Sequence, residues 1–490
     1  MSPLTTLLLP LLLFLPHVLS VNVNATCATL EAGLPASSVF YSGSPEYIEA
    51  MRHFSAVNVQ QSACVVQPST QDHVATILKI LSTTETPFAV KGGGHETNPG
   101  FSSTTGVHIS MKKFSEVNYD DQRHLVIVGS GLAWDTVYAT LDPLGVGVVG
   151  GRVTGVGVAG FLLGGGYSFK SNQYGLAVDN VVAYNVVLPN GTPVTATKHK
   201  HKELFWALKG GGNNFGIVTS FVLKTHAQVG GIWGGTITYG PEQYPAFAAA
   251  FDKFVNTVKD PKAAILPTYN WIQGDNATIL TMFFYDSPNL PPGIFDDFLA
   301  IPQRHSDIGT RGMASMAKAG NYSEKITGHR TYFNTVSVRD WTPSLIKLIE
   351  EEAQYWGTAL ASKIGIFFSY NVEPFLNDYL SHNDLPSAYP PDSARNPAVA
   401  TAPMNIFFEW ENPAFDADYF AAITETATRL RNLVAKEQGS LYENSPRYNN
   451  YAIYDTPLSS IYGENLPVLQ RLKKKYDPRG VMNLAGGWKF

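Results

Sequence analysis

Two glycine clusters carry the clearest chemical signal in the chain. Lys91-Gly92-Gly93-Gly94-His95 directly follows the apolar run Phe88-Ala89-Val90. Successive glycines let main-chain N–H groups converge without Cβ obstruction, which makes a concave anion site. A pyrophosphate is the natural guest. An ordinary glycine turn is the alternative, and the histidine immediately after the loop makes the site more informative. Gly155-Val156-Gly157-Val158-Ala159-Gly160 matches the G-x-G-x-x-G fingerprint, with Asp179 nineteen positions beyond Gly160. A nicotinamide-binding fold should place that motif between one strand and one helix. Here Gly164-Gly165-Gly166 stand where the helix should be, so that reading is disfavoured. There is no G-x-x-x-x-G-K-[ST] loop, no H-E-x-x-H and no G-x-S-x-G.

The elements around these loops mix strand and helix. Val107–Ser110 and Leu125–Val128 are apolar or β-branched runs bounded by turn residues. Asp72–Ser82 has Val74, Ile77, Leu78 and Leu81 at helical spacing. From about Thr236 the character changes to aromatic strands alternating with longer helices. Thr268–Ile272 places Tyr269 and Trp271 on one face, Gln273–Asn276 reads as a turn, and Ala277–Tyr285 returns. Gly365–Val372 and Asn405–Trp410 read as further strands, with Ser344–Tyr355 and Tyr419–Lys436 as helices. An antiparallel sheet with helices on one face fits this pattern. The aromatic residues serve as core packing or line a pocket, where Tyr269 and Trp271 would stack on a sugar ring or a flat phenolic ligand. Glu464–Tyr476 predicts a last helix, stopped by Asp477-Pro478.

Composition bounds the answer. Of 490 residues, 44% are hydrophobic and 15% charged, which excludes disorder as the dominant state. The net charge of −5 offers no basic field for a phosphate backbone, so nucleic acid is not an expected partner. Residues 1–20 hold an apolar run, Leu7–Leu15, too short to span a bilayer, then Val18-Leu19-Ser20. This predicts a cleaved secretory signal despite the lack of Lys and Arg before it; a short membrane anchor is the alternative. After cleavage no membrane association is expected. Cys27 and Cys64 are the sole cysteines and predict a bridge worth roughly 3–4 kcal/mol in the chain-entropy model. Sequons at Asn24, Asn190, Asn276 and Asn321 agree with secretion.

Taken in order, the motifs resemble the vanillyl-alcohol-oxidase superfamily of FAD-linked oxidoreductases, in its berberine-bridge-enzyme-like branch. The matching stretches are Pro68–Val74, Pro87–His95, Val149–Arg152, Val156–Tyr167, Tyr174–Asn180, Glu203–Gly212, Tyr448–Tyr451 and Lys475–Pro478. The resemblance implies an α+β, two-domain fold: an FAD-binding (PCMH-type) domain and an antiparallel-sheet substrate domain. Residues 21–230 would bind FAD (core about 60–228), 231–440 would form the substrate domain, and 441–490 would return to the first. It implies FAD bonded through His95 and cradled by Lys91, Gly92, Gly93, Gly94, Val156, Gly157, Gly160 and Asn450. Many relatives add a cysteine tether where this chain has Val153, so one covalent link is expected.

The resemblance also implies the reaction. Hydride passes from a substrate C–H to the flavin while a base takes the hydroxyl proton. Tyr448 is the first choice for that base and Tyr451 the second. A tyrosine needs a cationic neighbour to serve. Glu409, among aromatics in Phe407–Trp410, is a rival, although alternation sets it opposite Phe408 and Trp410 and so toward solvent. Val156 stands where a valine admits dioxygen in this branch. The expectation is a secreted oxidase taking hydride from an alcohol (a sugar, phenolic or secondary-metabolite intermediate) and making hydrogen peroxide. The alternatives are a dehydrogenase using another acceptor, or an inactive binding protein on the same fold.

Overall fold

The computed structural model of the chain describes residues 22–273, 276–320, 328–363, 365–439, 442 and 445–490. Residues 1–21, on which the expected secretory signal falls, the Asn276 side chain and the Asn321 sequon lie outside the described residues.

Among the described residues, three large sheets carry the fold. The first contains β1 (Val39–Phe40), β2 (Cys64–Val66), β3 (Phe88–Lys91) and β4 (Val107–Ser110), in the order β1-β2-β4-β3. Both β2 and β3 run parallel to β4. Parallel strands need a crossover, and helix Gln71–Thr84 supplies it between β2 and β3. It buries Val74, Ile77, Leu78 and Leu81, the stripe its spacing predicts, and Thr70 caps it by accepting from the His73 N–H. A disulfide between Cys27 and Cys64 ties helix Val23–Gly33 to β2. The first glycine loop leaves the C-terminal end of β3.

The second sheet is antiparallel and five-stranded: β5 (Val117–Asp120), β6 (Leu125–Gly129), β8 (Val181–Val187), β9 (Pro193–Thr197) and β10 (Ile217–Lys224), in the order β5-β6-β10-β8-β9. The two-residue strands β7 (Val146–Gly147) and β11 (His226–Ala227) pair separately. The second glycine motif opens only the short helix Val158–Leu163, which ends at Gly164. The motif is therefore no strand–helix unit, as the extra glycines indicate.

The third sheet has seven strands, all antiparallel to their neighbours. They are β12 (Ile232–Tyr239), β13 (Ala263–Ile272), β14 (Asn276–Tyr285), β15 (His305–Arg311), β16 (Arg330–Val338), β17 (Gly365–Asn371) and β18 (Ala402–Trp410). Their order is β15-β12-β14-β13-β17-β18-β16. Helices Tyr244–Thr257, Pro343–Ala359 and Asp416–Gln438 cover one face, and Tyr269, Phe368, Tyr370, Phe408 and Trp410 pack into that layer. Side chains alternate along a strand, so Thr268, Asn270, Ser369, Asn371, Asn405 and Phe407 fall on the other face and line a cavity. Tyr269 and Trp271 do share a face, but it is the helix face. Tyr269 is buried in that core, and Trp271 lies so close over Gly357 that a Cβ there would approach its ring to 2.1 Å. The stacking role open to them in the sequence is thereby corrected to packing.

Candidate active site

One cavity of about 760 Å³ lies between the glycine loops and the free face of the seven-stranded sheet. Gly92, Gly93, Gly94 and His95 line it, as do Val153, Val156, Gly157 and Gly160. The two glycine motifs hold each other. A Cβ on Gly93 would stand 2.5 Å from Gly157 Cα, and one on Gly157 would stand 2.5 Å from Gly93 N. Gly94 adopts a φ of +76°, which suits glycine. Gly160 differs: a Cβ there would meet nothing within 4 Å, so it would project into open space. Lys91 is not among the lining residues. Its side chain runs back past Gly94, and its Nζ donates to Ala50 O at 2.8 Å. Burial brings its pKa down to about 8.

His95 is half-buried on the cavity wall and stacks on Phe54 with ring centroids 4.0 Å apart. Its Nε2 has no hydrogen-bond partner. Burial lowers its pKa to about 4, so the imidazole is neutral at physiological pH. Glu96 follows it on the cavity wall and accepts from the N–H groups of Thr97 and Asn98 at 2.9 and 2.8 Å. Burial nevertheless raises its pKa to about 7.

The C-terminal segment brings Tyr448, Asn450 and Tyr451 to the same cavity. Asn450 Nδ2 bonds Gly160 O at 3.3 Å and donates to Tyr448 Oη at 2.9 Å. Tyr448 Oη also accepts from the Gly166 N–H at 3.2 Å. Its ring lies edge-on to Tyr451, with centroids 4.7 Å apart. Tyr451 Oη accepts from Arg152 Nη2 at 2.8 Å, and the same nitrogen reaches Glu373 Oε2 at 2.8 Å. Burial opposes the Arg152 charge, but Glu373 and then Tyr451 outweigh it and keep the guanidinium charged. Burial raises the Glu373 pKa against the pull of Arg152, and burial also raises both tyrosines.

The cationic neighbour that a tyrosine base requires is thus Arg152, and it touches Tyr451 rather than Tyr448. Arg152 was visible in the Val149–Arg152 motif but carried no role there. Glu373 was missed. Its signal was present: Ser369, Asn371 and Glu373 alternate with Phe368, Tyr370 and Val372, which marks one polar face. Glu409 is not among the cavity-lining residues and does not face solvent. It is fully buried, bonded to His329, and raised to about pKa 7 by burial. Among the sequons, Asn24 and Asn190 are exposed, the first on helix Val23–Gly33 and the second in the turn joining β8 to β9.

Comparison with known proteins agrees with this geometry. Residues 62–197 match the family model described as an FAD binding domain. The chain is 30% identical to the FAD-dependent monooxygenase drtC of Aspergillus calidoustus, over 96% of this chain and 90% of that one. Its fold matches the wild-type BBE-like 1 protein of Physcomitrella patens at a TM-score of 0.73 and 21% identity, covering 94% of this chain and 97% of that one. It also matches the glucooligosaccharide oxidase of Acremonium strictum, described as carrying 6-S-cysteinyl, 8α-N1-histidyl FAD, at 0.74 and 17%, covering 94% and 97%. The residues present fit a flavin dinucleotide: a glycine-backed wall, a site at Gly160 that a side chain would fill, and a neutral imidazole with an unpartnered nitrogen. Among the described residues no group of three or more His, Cys, Asp or Glu is placed to hold a metal ion. The chain belongs to the family of FAD-dependent monooxygenases and FAD-linked oxidoreductases that these relatives define, on the fold of the BBE-like protein.

Proposed function

We propose that this FAD-linked oxidoreductase is a secreted oxidase that takes hydride from an alcohol and passes the electrons to dioxygen, giving hydrogen peroxide. Residues 21–230 and 441–490 hold the cofactor and 231–440 the substrate. Gly92–Gly94, Gly157 and Gly160 form the cradle, with Val156 and Asn450 at its border, and His95 is the sole covalent link. When bound, FAD supplies the two-electron acceptor for C–H oxidation. The Acremonium strictum oxidase carries a cysteinyl and a histidyl attachment. Val153 has no sulfur to offer, and the chain's two cysteines pair with each other.

The observation that carries the reading is the Arg152 guanidinium shared between Tyr451 and Glu373 inside the cavity. Burial and then the Glu373 charge raise the Tyr451 pKa, and the charged donor on its phenolic oxygen is what opposes them and favours the phenolate. Tyr451 is therefore the proposed base, ahead of Tyr448, whose oxygen receives two neutral N–H donors. Tyr451 takes the substrate hydroxyl proton at Oη, and Glu373, held by the same nitrogen, is placed to receive it. Tyr448 and Asn450 orient the substrate oxygen. General-base contributions of this kind are about 10²–10⁴-fold.

The test is a panel of alcohols with peroxide detection on the purified protein, together with intact-mass analysis after denaturation. Peroxide formation and retained flavin mass support the reading. Very slow reoxidation in air after anaerobic reduction would reassign the protein as a dehydrogenase, and loss of all flavin on denaturation would remove the tether.

A further inference from the structure

The free face of the seven-stranded sheet holds a hydrogen-bond chain that runs one way. Ser369 Oγ donates to Asn371 Oδ1 at 2.7 Å, and Asn371 Nδ2 donates to Asn405 Oδ1 at 2.9 Å. The Asn405 carbonyl is thereby used, and its Nδ2 has no partner. On the neighbouring strand, Asn270 Nδ2 donates to Thr268 Oγ1 at 2.9 Å, and that hydroxyl donates to Leu280 O at 2.9 Å. Here the amide donor is used, and Asn270 Oδ1 has no partner. Both asparagines are only 3% exposed and both line the cavity. A buried polar group without a partner is costly and rare. Among the described residues the face therefore holds one orphaned amide donor and one orphaned amide acceptor, beside the Thr278 hydroxyl.

Their separation follows from register. Asn270 pairs with Ser369, which pairs with Phe407, two residues along β18 from Asn405. Two strand spacings and a two-residue offset put the backbones at Asn270 and Asn405 roughly 12 Å apart on the diagonal. Around them the wall is aromatic: Phe333, Phe367 and Phe407 pack with ring centroids 5.4–5.6 Å apart. Among the described residues, charge is absent from the centre of this face. Arg304, on the rim, is paired with Glu242, and Arg152 with Glu373.

We propose that this face recognises a neutral, flat, fused-ring aromatic alcohol carrying a carbonyl oxygen for Asn405 and a hydroxyl for Asn270. The inference rests on the oxidase reading above and names its substrate class. A disaccharide fits poorly. It carries a hydroxyl on nearly every ring carbon, and the phenylalanine part of this wall leaves those that face it unpaired. A fused ring instead spans the two amides while covering the phenylalanines.

Binding can be tested without turnover. The holoenzyme is titrated with 2-hydroxyanthraquinone, whose hydroxyl is too far from either carbonyl to bond internally and which has no oxidisable alcohol C–H, with anthracene, and with xylobiose, following flavin absorbance and fluorescence. Hydroxyanthraquinone should bind at least tenfold more tightly than either of the others. Asn405→Leu and Asn270→Leu should each weaken it about tenfold and leave anthracene unchanged. Should a Leu variant fail to fold, Asn405→Asp, which exchanges donor for acceptor at constant shape, carries the same expectation. Tighter binding of xylobiose, or unchanged hydroxyanthraquinone affinity in folded variants, overturns the proposal. Because the probe is not oxidised, failure of the oxidase reading is recognised separately, by absence of peroxide with every alcohol tried.

Discussion

The two walls of the cavity are built by opposite means. The cofactor wall is made of backbone: Gly93 and Gly157 approach so closely that neither position has room for a Cβ, and Gly160 is left open toward the ligand. The substrate wall is made of side chains on a regular sheet, where the polar row Thr268, Asn270, Ser369, Asn371 and Asn405 is set by strand parity alone. The first wall is fixed by what only glycine tolerates. The second would be exchanged wholesale for Tyr269, Phe368 and Tyr370 by a one-residue slip. On the proposed reading, cofactor binding rests on a few crowded glycine positions, while substrate choice rests on a face that tolerates change.

The sharpest way to break this contrast is at the tether. His95→Ala should abolish acid-stable flavin altogether, read by intact mass of the denatured protein, while Phe54 and the glycine contacts leave the fold intact. Gly160→Leu should lower flavin content severely with little change in melting temperature, because its side chain displaces ligand rather than protein. Full flavin content in Gly160→Leu would mean that the open space there is not ligand space.

The next effect lies where the walls meet. Tyr451→Phe should cut kcat by about 10²–10⁴-fold, and Tyr448→Phe by less. Glu373→Gln should reduce kcat and also change its pH profile. Burial raises the Glu373 pKa, so the carboxylate forms only as pH climbs above the ordinary range. Activity should rise with pH through that ionisation, and the rise should disappear in Glu373→Gln. A Tyr451→Phe enzyme with near-normal kcat would return the base to Tyr448.

The unequal legibility of the two walls has a physical cause. Gly92–Gly94 and Gly157 announce themselves because a Cβ would crowd their neighbours, Gly160 because it completes the motif's spacing, and His95 because it follows the first loop directly. The strands β13, β14, β17 and β18 were also legible to within a few residues, since alternation and turn residues bound them. What alternation does not say is which face meets the helices. Tyr269 and Trp271 stay open between core packing and ligand stacking in the sequence, and helix Pro343–Ala359, which places Gly357 against Trp271, decides for packing. Glu373 stayed hidden because its partners, Arg152 and Tyr451, lie 221 and 78 positions away in sequence and meet it only in the fold.

The smallest expected effect concerns Glu409, which shares the parity of Asn405 and Phe407 yet lies past the end of the cavity. It is buried, bonded to His329, and has one carboxylate oxygen without a partner. Burial raises its pKa from 4.5 to about 7, His329 opposes this, and Glu411 adds to it. Between those values the folded state holds a proton that the unfolded state has released. Its contribution to stability is therefore complete below about pH 4.5 and is lost as pH rises to about 7. The loss amounts to roughly 3 kcal/mol. Glu409→Gln keeps the neutral form at every pH, so the difference in melting temperature between wild type and variant should widen by a few degrees from pH 4.5 to 7.5. Should Glu409→Gln instead leave that difference constant and reduce kcat as strongly as Tyr451→Phe, the carboxylate would belong to the reaction, and the substrate wall would extend one residue pair further along β18 than the cavity lining indicates.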